Sequence, residues 1–198
     1  MVLRLLVIIV LFSGLYGAVM GTFSGTGSVR ALQIAYSALK LPLMLLVSFA
    51  LSLPSFFILN TLFGLRAQFW RSLGSLLAGQ AGMTILLASM APLTLVWNLS
   101  ATGHPITVLF NAGILGIATL GGQLLLRRAY RVLLAEDRRH AHLLWIWVVT
   151  YVFVGIQMGW VLRPFVGKPG QPVTLLRPDA WSNAYIVVFQ MVQQVLTR

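Results

Sequence analysis

Apolar residues run along this chain in long blocks, and charges fall between the blocks rather than inside them. A helix crossing a hydrocarbon core of about 30 Å needs about 20 mostly apolar residues. Four stretches meet that requirement: Leu41 to Phe63, Leu73 to Trp97, Ile106 to Leu126 and Leu143 to Leu162. A fifth, Leu5 to Gly21, follows Arg4 and sits at the short end of the spanning range. A charged start before an apolar centre also fits a signal peptide. Against that, no clean small-x-small cleavage site follows, and Gly17, Gly21 and Gly25 carry a helix-packing pattern past the expected cut. The pattern therefore predicts a retained first helix and an all-α integral membrane protein. Residues 1–162 form a bundle of about five transmembrane helices, and residues 163–198 are extramembrane.

The connectors are short. Residues Val29 to Lys40 set apolar Val29, Leu32, Ile34, Ala35, Tyr36 and Leu39 against Arg30, Gln33 and Lys40, which predicts a short anchoring helix lying at the interface. Residues Leu124 to Leu134 continue the fourth span's helical period, and Glu136 and Asp137 then face Arg138 and Arg139 across a turn. This predicts a helical hairpin with locally compensated charge. Arg127, Arg128 and Arg131 in it are candidate contacts for anionic lipid or a partner. After Leu162, prolines at 164, 169, 172 and 178 impose extended or turn structure. Asp179 is then placed to cap a short C-terminal surface helix through Trp181, Tyr185, Val188, Met191 and Val195.

Composition sharpens this picture. Only 9% of the 198 residues are charged, against about 25% in soluble domains, so a soluble catalytic domain is excluded. The net charge of +11 would suggest nucleic acid in a soluble protein. Here basic loops flanking apolar spans are what membrane orientation requires, and no nucleic-acid partner is expected. With five crossings, eight Lys and Arg fall on the side of the N-terminus and six on the other. Short loops weigh most, and the segment from Arg127 to His142 alone holds five arginines. The N-terminus is therefore expected in the cytoplasm and the segment after Leu162 outside, in a bacterial inner membrane.

Candidate chemistry is sparse. Ionisable groups persist inside a bilayer only for a reason, and none of the spans drawn above contains one in its interior. That argues against Ser–His pairs, aspartyl dyads, His-Glu-x-x-His zinc sites and carboxylate relays within the membrane. With no cysteine, thiolate chemistry and cysteine-ligated metals are excluded as well. His140 and His142 read as a loop pair lacking a third ligand, and His104 as a solvated turn residue. Asn98-Leu-Ser100 matches a glycosylation pattern but abuts a membrane boundary. No catalytic residue, metal or cofactor is expected.

What remains is packing. Asn60, Gln80, Asn111, Gln123 and Gln157 must find partners away from lipid, as glue between helices or as the lining of a path. Pro54 and Pro92 interrupt their spans. The small-residue spacings Gly17-x-x-x-Gly21-x-x-x-Gly25 and Gly155-x-x-x-Gly159 predict close helix approach. Trp70, Trp97, Trp145, Trp147, Trp160 and Trp181 fall near span ends, as an aromatic belt does.

Three strings carry a resemblance: Ala38-Leu39-Lys40-Leu41-Pro42, Leu53-Pro54-Ser55 with Leu59-Asn60, and Gly159 to Gly167. From about Gly17 to Tyr185 the chain resembles small bacterial polytopic proteins loosely described as Yip-like. The resemblance implies about five spans and a non-enzymatic adaptor role, and it assigns no site residue. The expectation is a non-catalytic membrane subunit or adaptor packing with other membrane proteins or with itself. The alternative is a small oligomeric channel or transporter lined by the five amides; a weaker third reading is a lipid-acting enzyme using His104 or Asp179. Arg163, ending the fifth span beside Pro164, is placed to meet helix carbonyls or a lipid phosphate. Arg163→Ala should therefore impair membrane accumulation or complex size more than any activity. Normal accumulation and unchanged complex size in that variant would contradict the expectation.

Overall fold

A computed structural model describes residues 1–23, 28–100, 103–167 and 173–174. Among these residues the regular structure is helical, with no strand. The helices are α1 (Val2–Met20), α2 (Ser28–Leu62), α3 (Phe69–Ser89), α4 (Ala91–Ser100), α5 (His104–Ala129), α6 (Arg131–Glu136) and α7 (Arg139–Leu162). Five of them, α1, α2, α3, α5 and α7, are long and apolar enough to cross a membrane. Gly25 and the C-terminal helix expected after Asp179, with Trp181, lie outside the described residues.

The helices form an open arc. α1 packs on α2 and α3, α5 packs on the far side of α3, and α7 packs on the far side of α2. α5 and α7 thus end the arc with a cleft between them. The outer perimeter is apolar, with Leu109 and Leu120 on α5 71% and 69% exposed, which is the surface lipid tails would solvate. The connections bring one set of helix ends together. Met1 lies against Gly74, Arg71 reaches Glu136, and Arg139 donates to the Phe63 carbonyl. At the opposite end Phe23, His104 and Val166 meet.

Local sequence accounts for the main boundaries. Gly64 adopts φ 75°, and the backbone N–H groups of Gly64 and Leu65 return to the carbonyls of Thr61 and Asn60. This is the αL stop that glycine permits at a helix end. Pro105 sits in the first turn of α5, where its missing N–H costs nothing. Trp147 wedges edge-on between Phe49 and Phe56 with ring centroids 5.2 Å from each, which locks α7 to α2.

Four sequence expectations are corrected. Residues 29–40 are not a separate interfacial helix. They are the first three turns of the 35-residue α2, which at about 1.5 Å per residue runs for about 52 Å. Gln33 and Lys40, set among its polar positions by the sequence, are buried, and so is Ser37 between them. The stretch Leu73 to Trp97 is two helices meeting at Met90, two residues before Pro92. Pro54, expected to interrupt its span as Pro92 does, instead lies with Pro42 inside the continuous α2. Trp147 is a core residue rather than part of a belt; Trp70 and Trp145 remain exposed.

The glycine seams behave differently from each other. A Cβ on Gly17 would lie 2.3 Å from the Ser37 carbonyl oxygen, and one on Gly21 2.7 Å from the Ile34 Cα. α1 and α2 therefore touch backbone to backbone, which only glycine allows. Gly155 has nothing within 4 Å, and Gly159 makes an ordinary contact with Met44. That pair borders the cleft instead of a tight crossing within the chain. Gly17→Ala should therefore lower stability by about 1–3 kcal/mol through overpacking, while Gly155→Ala should leave it unchanged. Unfolding midpoints of the two variants in a denaturing-detergent titration check this; equal midpoints would contradict it.

Candidate functional site

Gln33, Ser37 and Lys40 stand at i, i+4 and i+7, so they share one face of α2. That face holds the chain that leaves α7. Gln33 Nε2 and Ser37 Oγ both donate to the Phe165 carbonyl, at 3.1 and 2.5 Å. Lys40 Nζ, with no solvent exposure, donates to the carbonyls of Pro164 and Thr174 at 3.0 Å each. An ammonium group taken out of water is costly unless oxygen ligands replace its hydration. Two main-chain oxygens supply part of that replacement, and residues 163–166 are fixed across the end of α2. Arg163 itself stacks on Trp160, its guanidinium carbon 3.4 Å from the ring centroid.

At the arginine-rich end a second network joins α3, the junction of α5 with α6, and α7. Tyr130 Oη donates to Ser72 Oγ at 2.9 Å and lies 3.4 Å from His140 Nδ1, while His140 Nε2 contacts Gln68 Oε1. His140 is fully buried, so it is not the loop residue expected. Glu136 pairs with Arg71, at 2.8 and 3.0 Å, and not with the neighbouring arginines; Asp137 instead accepts the Arg139 backbone N–H. The hydrogen-bonded Arg71 guanidinium holds the Glu136 carboxyl below its usual range. The bridge is therefore complete above the ordinary glutamate pKa and is lost as pH falls through the lowered value. Both side chains are exposed, so it positions α6 more than it stabilises the fold. Arg127, Arg128 and Arg131 have no hydrogen bond or ion pair among the described residues.

The five amides do not converge. Asn111 Oδ1 accepts from Tyr16 Oη at 3.3 Å, and Tyr16 accepts from Thr94, a chain linking α4, α1 and α5. Asn60 is fully buried on α2 by itself, and Gln157 is half-buried on α7. Gln80 and Gln123 share a void of about 10 Å³ also bounded by Tyr151 and Trp147. Gln80 is the polar neighbour of Tyr151, but neither Gln80 Nε2 nor Tyr151 Oη closes a hydrogen bond of ordinary geometry. The void has room for one water-sized group.

Two larger spaces adjoin it along the cleft. Toward the Lys40 end lies a cavity of about 230 Å³ between Met44, Ser48, Thr119, Tyr151, Gly155 and Phe165. Toward the arginine-rich end a groove of about 520 Å³ runs between Leu120, Gln123 and Arg127 on one wall and Leu144, Trp145 and Val148 on the other. Tyr151 borders the first space and the void, and Gln123 borders the void and the groove. The cleft is thus a mostly apolar slot with a narrow polar waist and a cationic rim.

Other expected residues fall elsewhere. Asn98 donates to the Val19 carbonyl and to Thr22, and His104 lies 3.4 Å from the Val166 carbonyl oxygen. Among the described residues no group of three His, Cys, Asp or Glu is placed to hold a metal. No protein-family model matches the chain, and no curated protein or solved structure proves similar to it.

Lys40→Met should leave the Pro164 and Thr174 carbonyls without their donor and cost about 1–3 kcal/mol. An unfolding titration beside the parent protein measures this, and an unchanged midpoint would contradict the clamp.

Proposed function

We propose that this protein is a non-catalytic integral membrane subunit or adaptor, inserted in a bacterial inner membrane with the arginine-rich end in the cytoplasm. The observation that carries the reading is the use made of its buried polar groups. Tyr16, Asn111, Thr94, Asn98, Gln33, Ser37 and Lys40 all bond across helices or to the chain after α7, as structural links do. The apolar perimeter and five spanning-length helices support insertion. Eight arginines gathered at the end holding Met1, Glu136 and Arg139 support the orientation. The Yip-like resemblance points to the same adaptor role.

The channel reading would need the amides to line one path. Their separation, and a waist of about 10 Å³ between Gln80 and Gln123, weigh against it. Gentle solubilisation from native membranes, followed by size analysis and mass spectrometry, tests the proposal. A stoichiometric membrane-protein partner is the expected result. A monodisperse homo-oligomer that conducts solute in reconstituted vesicles would overturn it.

A further inference from the structure

We propose that the cleft between α5 and α7 is a binding site for one anionic phospholipid of the cytoplasmic leaflet, with its phosphate on Arg127 and an acyl chain in the slot. The proposal rests on the membrane-embedded reading above and goes beyond it by naming an occupant.

Three observations specify that occupant. The first is shape. The 520 Å³ groove lies within the roughly 300–1,000 Å³ range of ligand sites. The lining residues of α5, from Leu115 to Arg127, rise over about 18 Å, slightly more than one leaflet of a core about 30 Å thick. A slot of that length takes a single acyl chain.

The second is the order of chemistry along it. Arg127 is exposed, lines the rim and has no partner among the described residues, so its guanidinium is available for the bidentate contact that phosphate oxygens accept. Trp145, 66% exposed, stands on the opposite wall, as amphipathic rings do at head-group depth. One helical turn further in, Gln123 offers a carboxamide whose Oε1 is buried without a hydrogen bond. A carboxamide both donates and accepts, which suits the ester level of a glycerophospholipid. Beyond it the walls turn apolar through Leu120, Val148, Val152 and Ile156. Charge, ester-level polarity and hydrocarbon follow one another in the sequence that a phospholipid presents.

The third is access. Leu120, Val152 and Ile156 line the cleft and are also exposed on the perimeter, so the slot opens sideways to the bilayer. A water-soluble ligand would have to enter against that grain. A partner helix would fill the apolar length but leave Arg127 unmatched.

The test uses the full-length protein in nanodiscs of equal phosphatidylglycerol and phosphatidylcholine, released for native mass spectrometry. The parent protein should retain one phosphatidylglycerol about fivefold over phosphatidylcholine, in line with the pull of one arginine near a charged surface. Arg127→Gln should abolish that preference. Arg66→Gln, an exposed arginine at the same end but outside the groove lining, should keep it. Val148→Trp, which fills the groove, should reduce retention of both lipids. Equal retention of the two lipids by the parent, or equal loss in both arginine variants, overturns the site. So does a lipid-free peak carrying a second protein chain. Carbonate extraction of each variant separates the two claims. Protein that stays in the pellet without lipid preference defeats the lipid site alone, whereas protein released by carbonate defeats the membrane reading itself.

Discussion

A buried ammonium group governs the architecture at one end of this molecule. Lys40 has no solvent exposure, and its charge is tolerable there because the carbonyls of Pro164 and Thr174 take the place of water. Those oxygens belong to the chain beyond α7, so the requirement of one side chain on α2 dictates where that chain must lie. Gln33 and Ser37 repeat the arrangement one and two turns away on the Phe165 carbonyl. α7 is thereby held to α2 at the end of its length. At the other end Trp147 performs the same task by packing, between Phe49 and Phe56.

Tethering α7 to α2 has a consequence for the rest of the bundle. α5 is bound to α3, where Gly79, Gly82 and Gly122 let side chains such as Leu126 and Met83 approach closely, and a cleft lies between it and α7. The arc stays open. The polar groups at its waist, Gln80, Gln123 and Tyr151, remain at the edge of a cleft instead of being consumed in a helix crossing. Gln123 and Arg127 border this opening, and they are the residues on which the lipid proposal rests.

The five long apolar helices were legible in the sequence because an uninterrupted apolar run of about 20 residues is a local signal that needs no knowledge of partners. Leu143 to Leu162 falls inside α7, and Ile106 to Leu126 inside α5. The close contact of Gly17 and Gly21 was legible too, because glycine at spacing four has few other uses in an apolar helix. Lys40 was misread. A lysine directly before a long apolar run looks like a boundary charge, and the return of the Pro164 carbonyl, 124 residues later in the chain, turns it inward. The stripe of Gln33, Ser37 and Lys40 on one helical face was the available signal. It reads as amphipathicity, and amphipathicity does not say whether the polar side meets water or backbone. The identical small-x-x-x-small spacing at Gly155 and Gly159 has a different outcome from that in α1, because spacing specifies a flat surface but not what covers it.

The central claim is that Lys40 is enclosed by the chain following α7. Acylation of native membranes with a membrane-permeant amine reagent, quantified at Lys40 by mass spectrometry, measures that enclosure without altering a residue. Lys40 should stay essentially unmodified in the folded protein and react fully after denaturation in dodecyl sulfate. Modification of Lys40 at the same rate before and after denaturation would contradict the clamp, and with it the placement of α7 against α2 at that end.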